Sequence, residues 1–241
     1  MGNIFFVALF QPLYNLLVFL YNVVPAGGVG LAIILMTVLV KGALLPLMYR
    51  SMKAQKELQE IQPKISALKA ELKDNKEELA KQLMGVYKTH NVNPFASCLP
   101  TIVQLVVLIA LYQVLSAGIA TVTATTLYSF VHNPETMAHM FLGIDLAHIS
   151  IPLAIIAAIA QFFQARQLVS RRPPKEARAD SGALDEDMAA TMNKVTLVML
   201  PLMTLIIGVT TVPGGLTLYI LVSTVLTYLM YHFFFGNKKA V

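Results

Sequence analysis

The stretch of sequence that decides the fold is residues 27–48, GGVGLAIILMTVLVKGALLPLM, an apolar run that contains one charged side chain, Lys41. A helix of about 20 apolar residues crosses the roughly 30 Å hydrocarbon core of a bilayer. Further apolar runs follow, and the chain is 56% hydrophobic and 13% charged, whereas soluble domains are about 25% charged. We therefore predict an all-α polytopic membrane protein, and a water-soluble enzyme is excluded.

The basic residues set the predicted orientation. All 18 Lys and Arg residues lie in or beside two polar loops and the C-terminal tail. The positive-inside rule then places these loops and the C-terminus in the cytoplasm, and an odd number of spans places the N-terminus outside. A nucleic-acid surface is the alternative explanation for so many lysines, but glutamates interleave with them in the first loop, which disfavours that explanation.

The apolar runs and the charges together predict five transmembrane helices. The segments are an N-terminal extracytoplasmic interfacial helix at 1–26, the first span at 27–49, a cytoplasmic helical hairpin at 50–94, the second span at 95–117, an extracytoplasmic loop at 118–148, the third span at 149–165, a cytoplasmic loop at 166–194, the fourth and fifth spans at 195–212 and 213–235, and a cytoplasmic tail at 236–241.

The opening segment has two possible placements. Gln11, Asn15 and Asn22 fall within about 40° of one another on a helix, which makes a narrow polar stripe on an otherwise apolar surface. Such a stripe favours a helix that lies in the membrane interface. The apolar run from Ile4 to Asn22 is also long enough to be a sixth span.

The first charged loop carries a coiled-coil pattern. Apolar residues recur at spacings of 3, 4, 3 and 4, at Leu58, Ile61, Ile65, Leu68 and Leu72. This seam predicts one arm of a helical hairpin that ends near Asp74 and Asn75, with a returning arm over residues 79–87. Pro63 is expected to kink the first arm or to begin a new helix there. The alternative is a solvated connector between two spans.

Lys41 is the main anomaly of the sequence. It follows Gly28 by 13 residues, so a straight helix places it about 20 Å from the outer end. A lysine near a helix centre costs about 2.5–3.5 kcal/mol to insert, so it is expected to face protein or a water-filled cavity. The alternative is snorkelling, in which its long stem reaches the cytoplasmic headgroups.

Other polar residues lie where the wall of such a cavity would need them. They are Thr37 one turn before Lys41, Gln104 within the second span, Gln161 and Gln164 near the inner end of the third, and Tyr219, Ser223 and Thr227 at successive four-residue steps on the fifth. Individually, each can serve as a hydrogen-bonding contact between helices. Together with Lys41 they predict a wet, cationic pocket open to the cytoplasm, and the short third span predicts a thinned bilayer beside it.

Catalytic patterns are weak. His132, Glu135 and His139 could share a helical face, but the metal-binding sequence His-Glu-x-x-His is absent. No Ser-His-Asp order or phosphate-binding loop is present either. We expect no metal, no cofactor and no enzymatic activity.

Several strings resemble one family of membrane proteins. They are Thr37-x-x-x-Lys41-Gly42, Gln62-Pro63-Lys64-Ile65, Asn93-Pro94, Cys98-x-Pro100-x-x-x-Gln104, Leu200-Pro201 and Pro213-Gly214-Gly215-Leu216-x-Leu218-Tyr219-x-x-x-Ser223. In this order, over nearly the whole chain, they resemble the YidC/Oxa/Alb membrane protein insertases in their short bacterial five-span form.

The resemblance implies a function. Members insert nascent membrane proteins through a hydrophilic groove that is open to cytoplasm and lipid and closed outside, and they use no cofactor. Some act beside the Sec translocon or on ribosomes. The groove carries a charged residue, usually arginine, that attracts acidic substrate segments; the matching residue here is Lys41, and Thr37, Gln104 and Tyr219 match groove or core positions. The protein is then expected in the bacterial cytoplasmic membrane.

Two functions of other classes remain open at this stage. A small transporter or channel could use Lys41 as an intramembrane anion site, although such proteins usually carry repeated halves, which this sequence lacks. A non-catalytic membrane assembly scaffold could use the predicted hairpin to bind partners.

Overall fold

A computed structural model of the chain describes residues 6–24, 27–72, 75–90, 99–118, 126–169 and 195–235. The helices are α1 (Gln11–Val23), α2 (Gly28–Ala43), α3 (Leu45–Glu71), α4 (Lys76–Thr89), α5 (Leu99–Gly118), α6 (Ile151–Val169), α7 (Leu200–Thr210) and α8 (Gly214–Phe235). Short π-helical segments, Phe6–Phe10 and Val195–Met199, precede α1 and α7. Between α5 and α6 lies an antiparallel pair of short strands, β1 (Met140–Phe141) and β2 (Ile144–Asp145).

The predicted all-α polytopic membrane fold is confirmed. In the described residues, Phe6–Val23 and Gly214–Phe235 are long and apolar enough to cross a membrane, and Gly28–Ala43 with Leu45–Leu58 adds a third span if the pair is counted as one. Shorter apolar helices cover Ile102–Leu115 and Leu197–Thr210. The number of five spans stays a prediction.

The first predicted span is interrupted. It was expected to run from 27 to 49, but α2 ends at Ala43, Leu44 forms a turn and α3 begins at Leu45. Pro46 supplies the physical reason, because it has no backbone N–H with which to continue the hydrogen-bond ladder of α2. Lys41 consequently lies in the last turn of α2.

The other helices lie near the predicted segments. α6 runs to Val169 and so continues beyond the predicted limit of 165, and α8 begins within one residue of the predicted start at 213. The predicted loop at 166–194 falls mainly on residues outside the described part of the chain, as do the tail and the motif residues Asn93, Pro94 and Cys98.

The chain divides into two compact units. The first unit comprises residues 1–44, 103–164 and 201–241. Within it, α2 packs against both α1 and α8, and the buried core includes Tyr14, Ile33, Leu111 and Tyr219. α7 approaches α6 closely, since a Cβ atom added at Gly208 would lie 2.8 Å from the Cβ of Ala154. Small residues of this kind let membrane helices pack tightly.

The second unit, residues 45–102 and 165–200, contains the helical hairpin. Ile61 and Ile65 of α3 are buried against Leu83, Val86 and Tyr87 of α4, so the two helices pack along the predicted apolar seam. Helix α3 runs without a break through residue 63, so Pro63 does not begin a new helix.

The turn and the charges of the hairpin have local explanations. Asn75 caps α4, where its side chain accepts a hydrogen bond of 3.2 Å from the backbone N–H of Glu78. The interleaved charges form pairs one turn apart on α3, Lys53 with Glu57 at 3.7 Å and Lys56 with Glu60 at 3.6 Å. Such pairs stabilise an exposed helix by about 0.3–0.5 kcal/mol each.

The polar stripe of α1 faces protein. Asn15 is 3% exposed; its Nδ2 donates to the carbonyl of Thr126 at 3.0 Å, and its Oδ1 accepts from the N–H of Tyr128 at 2.6 Å. Asn22 Nδ2 donates to the carbonyl of His132 at 2.7 Å. The stripe therefore binds the loop before α6. Whether α1 lies in the interface or spans stays a prediction.

Candidate functional site: a buried lysine between helices

The candidate site begins with Lys41 at the end of α2. Its side chain is 7% exposed although it carries an ammonium group. Nζ donates to Gln104 Oε1 of α5 at 3.1 Å and to Thr227 Oγ1 of α8 at 3.0 Å. The ammonium is thus held among three helices of the first unit, and its partners are protein side chains.

Gln104 is the centre of the surrounding network. Its Oε1 accepts from Lys41 and also from Ser223 Oγ at 3.3 Å, while its Nε2 donates to Tyr219 OH at 2.7 Å. This division of roles fixes the orientation of the amide, because only the oxygen can accept from an ammonium. A further bond of 2.8 Å from Thr227 Oγ1 to the carbonyl of Ser223 completes the network on α8.

The helical repeat of α8 explains why three of these residues meet. Tyr219, Ser223 and Thr227 follow one another at four-residue steps, so they lie along one face of the helix. Tyr219 and Ser223 are both buried. Since the remainder of α8 is largely apolar, this face is where α8 can meet the polar groups of α2 and α5.

Three predicted site residues are not joined to the network. Thr37 is buried one turn before Lys41, and its hydroxyl donates to the carbonyl of Ile33 at 2.6 Å on its own helix. Gln161 Oε1 is buried without a hydrogen-bond partner among the described residues. Gln164 is half-buried on the same helix. No hydrogen bond between described residues links either glutamine to Lys41.

The site has an unbalanced charge. The ion pairs found between described residues do not include Lys41, so the partners of its ammonium are an amide and a hydroxyl. An ammonium has three N–H donors, and two of them are used in this network. A cation held among neutral groups in an apolar surrounding attracts an anion strongly.

The N-terminal ends of α2 and α8 are capped by the loop that α1 binds. The N–H groups of Gly214 and Gly215 at the start of α8 donate to the carbonyls of His148 and Leu146, at 2.7 and 2.9 Å. The N–H of Val29 at the start of α2 donates to the carbonyl of Ala138 at 3.0 Å. The first N–H groups of a helix have no partner within it, so this loop supplies the missing acceptors.

Glycine is required at this cap. A Cβ atom at Gly214 would lie 3.1 Å from the carbonyl oxygen of Asp145, and Gly28 has a positive φ of 57°. The string Pro213-Gly214-Gly215, part of the motif that resembles the family, therefore has a structural role. The sequence signal was the paired glycine directly after a proline, at the start of an apolar helix.

The described residues contain no group of three His, Cys, Asp or Glu side chains that could hold a metal ion. His139 Nε2 instead lies 3.8 Å from Asp145 Oδ1, within the loop. Around Lys41, by contrast, hydrogen bonds join polar side chains of α2, α5 and α8.

An all-α bundle of apolar helices with a polar network buried among them defines a multi-pass membrane protein. Residues 19–240 match the family described as 60Kd inner membrane protein. The chain belongs to this family, the YidC/Oxa/Alb family, and is a multi-pass protein of the bacterial inner membrane.

The reported relatives named membrane protein insertase YidC match between 47% and 92% of this chain. The protein of Pelobacter propionicus is 31% identical over 224 residues, which are 92% of this chain and 37% of the relative. That of Anaeromyxobacter dehalogenans is 33% identical over 213 residues, which are 88% of this chain and 33% of the relative. That of Geobacter sulfurreducens is 40% identical over 114 residues, which are 47% of this chain and 21% of the relative. The chain spans only a minor part of the length of each.

Proposed function

We propose that this protein is a membrane protein insertase, which moves short extracytoplasmic segments of nascent membrane proteins through a hydrophilic groove and releases their apolar segments into the bilayer. The observation that carries the proposal is Lys41, a buried cation whose protein partners are neutral. The family and the insertase names of the relatives support it.

Lys41 supplies attraction for an acidic side chain. Carrying one Asp through the bilayer centre costs about 2.5–3.5 kcal/mol on insertion scales. Opposite charges 4 Å apart attract by about 4 kcal/mol at an effective dielectric constant near 20. Because the two energies are comparable, Lys41 offsets the cost of about one carboxylate at a time, and the site suits short, weakly acidic segments.

The neutral partners of Lys41 hold it without cancelling its charge. Gln104 and Thr227 fix the ammonium by hydrogen bonds of 3.1 and 3.0 Å. A carboxylate partner in the same place would leave the site close to neutral and would compete with the substrate. Thr37, Gln161 and Gln164 are proposed as further groove-wall positions.

Release into lipid provides the driving force. Each Leu, Ile, Phe or Val at a helix centre contributes about −0.3 to −0.6 kcal/mol, so an apolar segment of about 20 such residues gains on the order of 6–12 kcal/mol. No nucleotide is needed for such a step. The N-terminus is proposed to lie outside and the C-terminus in the cytoplasm, where the ribosome is a candidate partner; the Sec translocon is a candidate partner within the membrane.

The experiment is insertion of a single-span substrate with a short acidic translocated segment into liposomes that contain the purified chain, read by protease protection. Lys41→Ala should reduce insertion strongly and Lys41→Arg should retain most of it, because the charge is the active property. Lys53→Ala is the matched control, since Lys53 is exposed and paired with Glu57. Wild-type insertion no greater than in empty liposomes would refute autonomous insertase activity.

An ammonium whose hydrogen-bond partners are neutral also supports the second candidate function, an anion transporter or channel. In that case, the same liposomes would release a trapped anion without any substrate protein, and Lys41→Ala would abolish the release. A scaffold would tolerate both Lys41→Ala and Lys41→Arg.

A further inference from the structure

The β1–β2 hairpin ends in an apolar tip. Its two-residue turn is Leu142-Gly143, and both residues have positive φ, 50° and 79°. Turns with two positive φ values favour Asn or Asp at the first position, because their short polar side chains tolerate this conformation. Leucine is therefore unfavourable at position 142 of this turn. Its side chain is also 87% exposed, so it contributes nothing to the core.

The hairpin lies at the outer end of α2. The ring of Phe141, directly before the tip, sits against Gly30 in the first turns of α2, where it leaves no room for a Cβ atom. The carbonyl of Ala138, just before β1, accepts from the N–H of Val29. The tip is therefore at the level where α2 enters the bilayer, if α2 is a membrane-spanning helix.

The surroundings of the tip suit a lipid interface. Met140 alternates with Phe141 along β1, so its side chain points away from α2, and it is 56% exposed. Phe130 of the same loop is also largely exposed. The loop at 118–148 contains no Lys or Arg, as is usual for the side of a membrane protein opposite the cytoplasm.

We propose that Leu142 and Met140 at the hairpin tip insert into the headgroup and acyl-chain boundary of the adjacent leaflet and anchor the capping loop to the lipid surface. Burial in lipid gives the exposed leucine the stabilisation that neither the turn nor the protein core provides. The same loop caps α2 and α8, so the anchor ties the outer ends of both helices to the bilayer. The inference rests on α2 spanning the membrane and does not depend on insertase activity.

The test uses the absence of tryptophan from the sequence. Leu142→Trp then carries a single fluorescent reporter in the full chain, reconstituted in vesicles of phosphatidylcholine and phosphatidylglycerol. We expect blue-shifted emission, strong quenching by lipids brominated near the headgroup, and iodide quenching severalfold weaker than for Thr136→Trp, an exposed position in the same loop. Red-shifted emission with iodide quenching equal to that control would overturn the proposal, and shielding from both quenchers would assign the tip to a protein contact instead.

A second reporter leaves the wild-type tip residue in place. The fluorescence of Met140→Trp should be quenched by the same brominated lipids. When Leu142→Asn is added, quenching by the lipids should weaken and quenching by iodide should strengthen. Asn suits the positive φ of the turn, so the hairpin itself is preserved. Unchanged lipid quenching in the double variant would show that Leu142 is not the anchor.

Discussion

Gln104 offers a sharp test of the network around Lys41. Gln104→Leu removes the acceptor for Lys41 and Ser223 and the donor to Tyr219, at 3.1, 3.3 and 2.7 Å. Hydrogen bonds between membrane helices average about 0.6 kcal/mol in double-mutant cycles, so three give a lower value of about 2 kcal/mol. A bond to a charged group contributes about 1.5–3 kcal/mol and a neutral one about 1, which raises the upper value to about 4–5 kcal/mol. We expect a loss of unfolding free energy between these values, measured by denaturant titration in detergent micelles.

The structure provides a matched control for this substitution. Gln161 Oε1 is buried without a partner among the described residues, so Gln161→Leu removes an unpaired polar atom and should be neutral or stabilising. The two variants make the same chemical change in two apolar helices. Equal effects of Gln104→Leu and Gln161→Leu on the unfolding free energy would refute the assignment of the network.

Three further predictions concern the capping loop. Gly28→Ala should lower the unfolding free energy by about 1–3 kcal/mol, because it imposes a positive φ on alanine. At Gly85 an added Cβ atom would have no neighbour within 4 Å, so Gly85→Ala should raise the unfolding free energy by about 0.5–1 kcal/mol through helix propensity. Denaturant titrations of the two variants should therefore give changes of opposite sign. Asn15→Leu should expose the loop to protease, because the N–H of Tyr128 loses its acceptor; an unchanged cleavage rate would contradict it. Burial raises the pKa of Asp145, but hydrogen bonds from His148 and the Ala147 N–H outweigh it and hold that pKa below its usual range; the Tm advantage of wild type over Asp145→Asn should therefore be present at neutral pH and be lost in acid, as the pH falls through the lowered pKa of the folded state.

The residues around Lys41 could be predicted because two simple rules apply to them. A polar side chain in an apolar helix needs a partner, and residues four apart share a helical face. These rules select Lys41, Gln104 and the α8 residues Tyr219, Ser223 and Thr227, which the structure joins by hydrogen bonds. They do not say which other helix supplies the partner, so Gln161 and Gln164 looked equally suitable in the sequence.

The differences between the predictions and the structure have physical reasons as well. The polar stripe of Asn15 and Asn22 meets loop carbonyls and N–H groups, and a stripe has the same spacing whether it faces headgroups or backbone. The break at Leu44 had a sequence signal in Pro46, which the apolar character of residues 27–48 obscured. The cap on α2 and α8 depends on where the carbonyl groups of an irregular loop lie. A periodic pattern in the sequence cannot predict these positions.

The central claim is that the charge of Lys41 attracts acidic substrate segments. The most direct measurement is a cycle of four insertion rates in liposomes, with wild type and Lys41→Ala each given a single-span substrate that carries either Asp or Asn in its translocated segment. We predict that Lys41→Ala slows the Asp substrate strongly and the Asn substrate little. Equal slowing of both substrates would contradict the claim, because the role of Lys41 would then be independent of the substrate's charge.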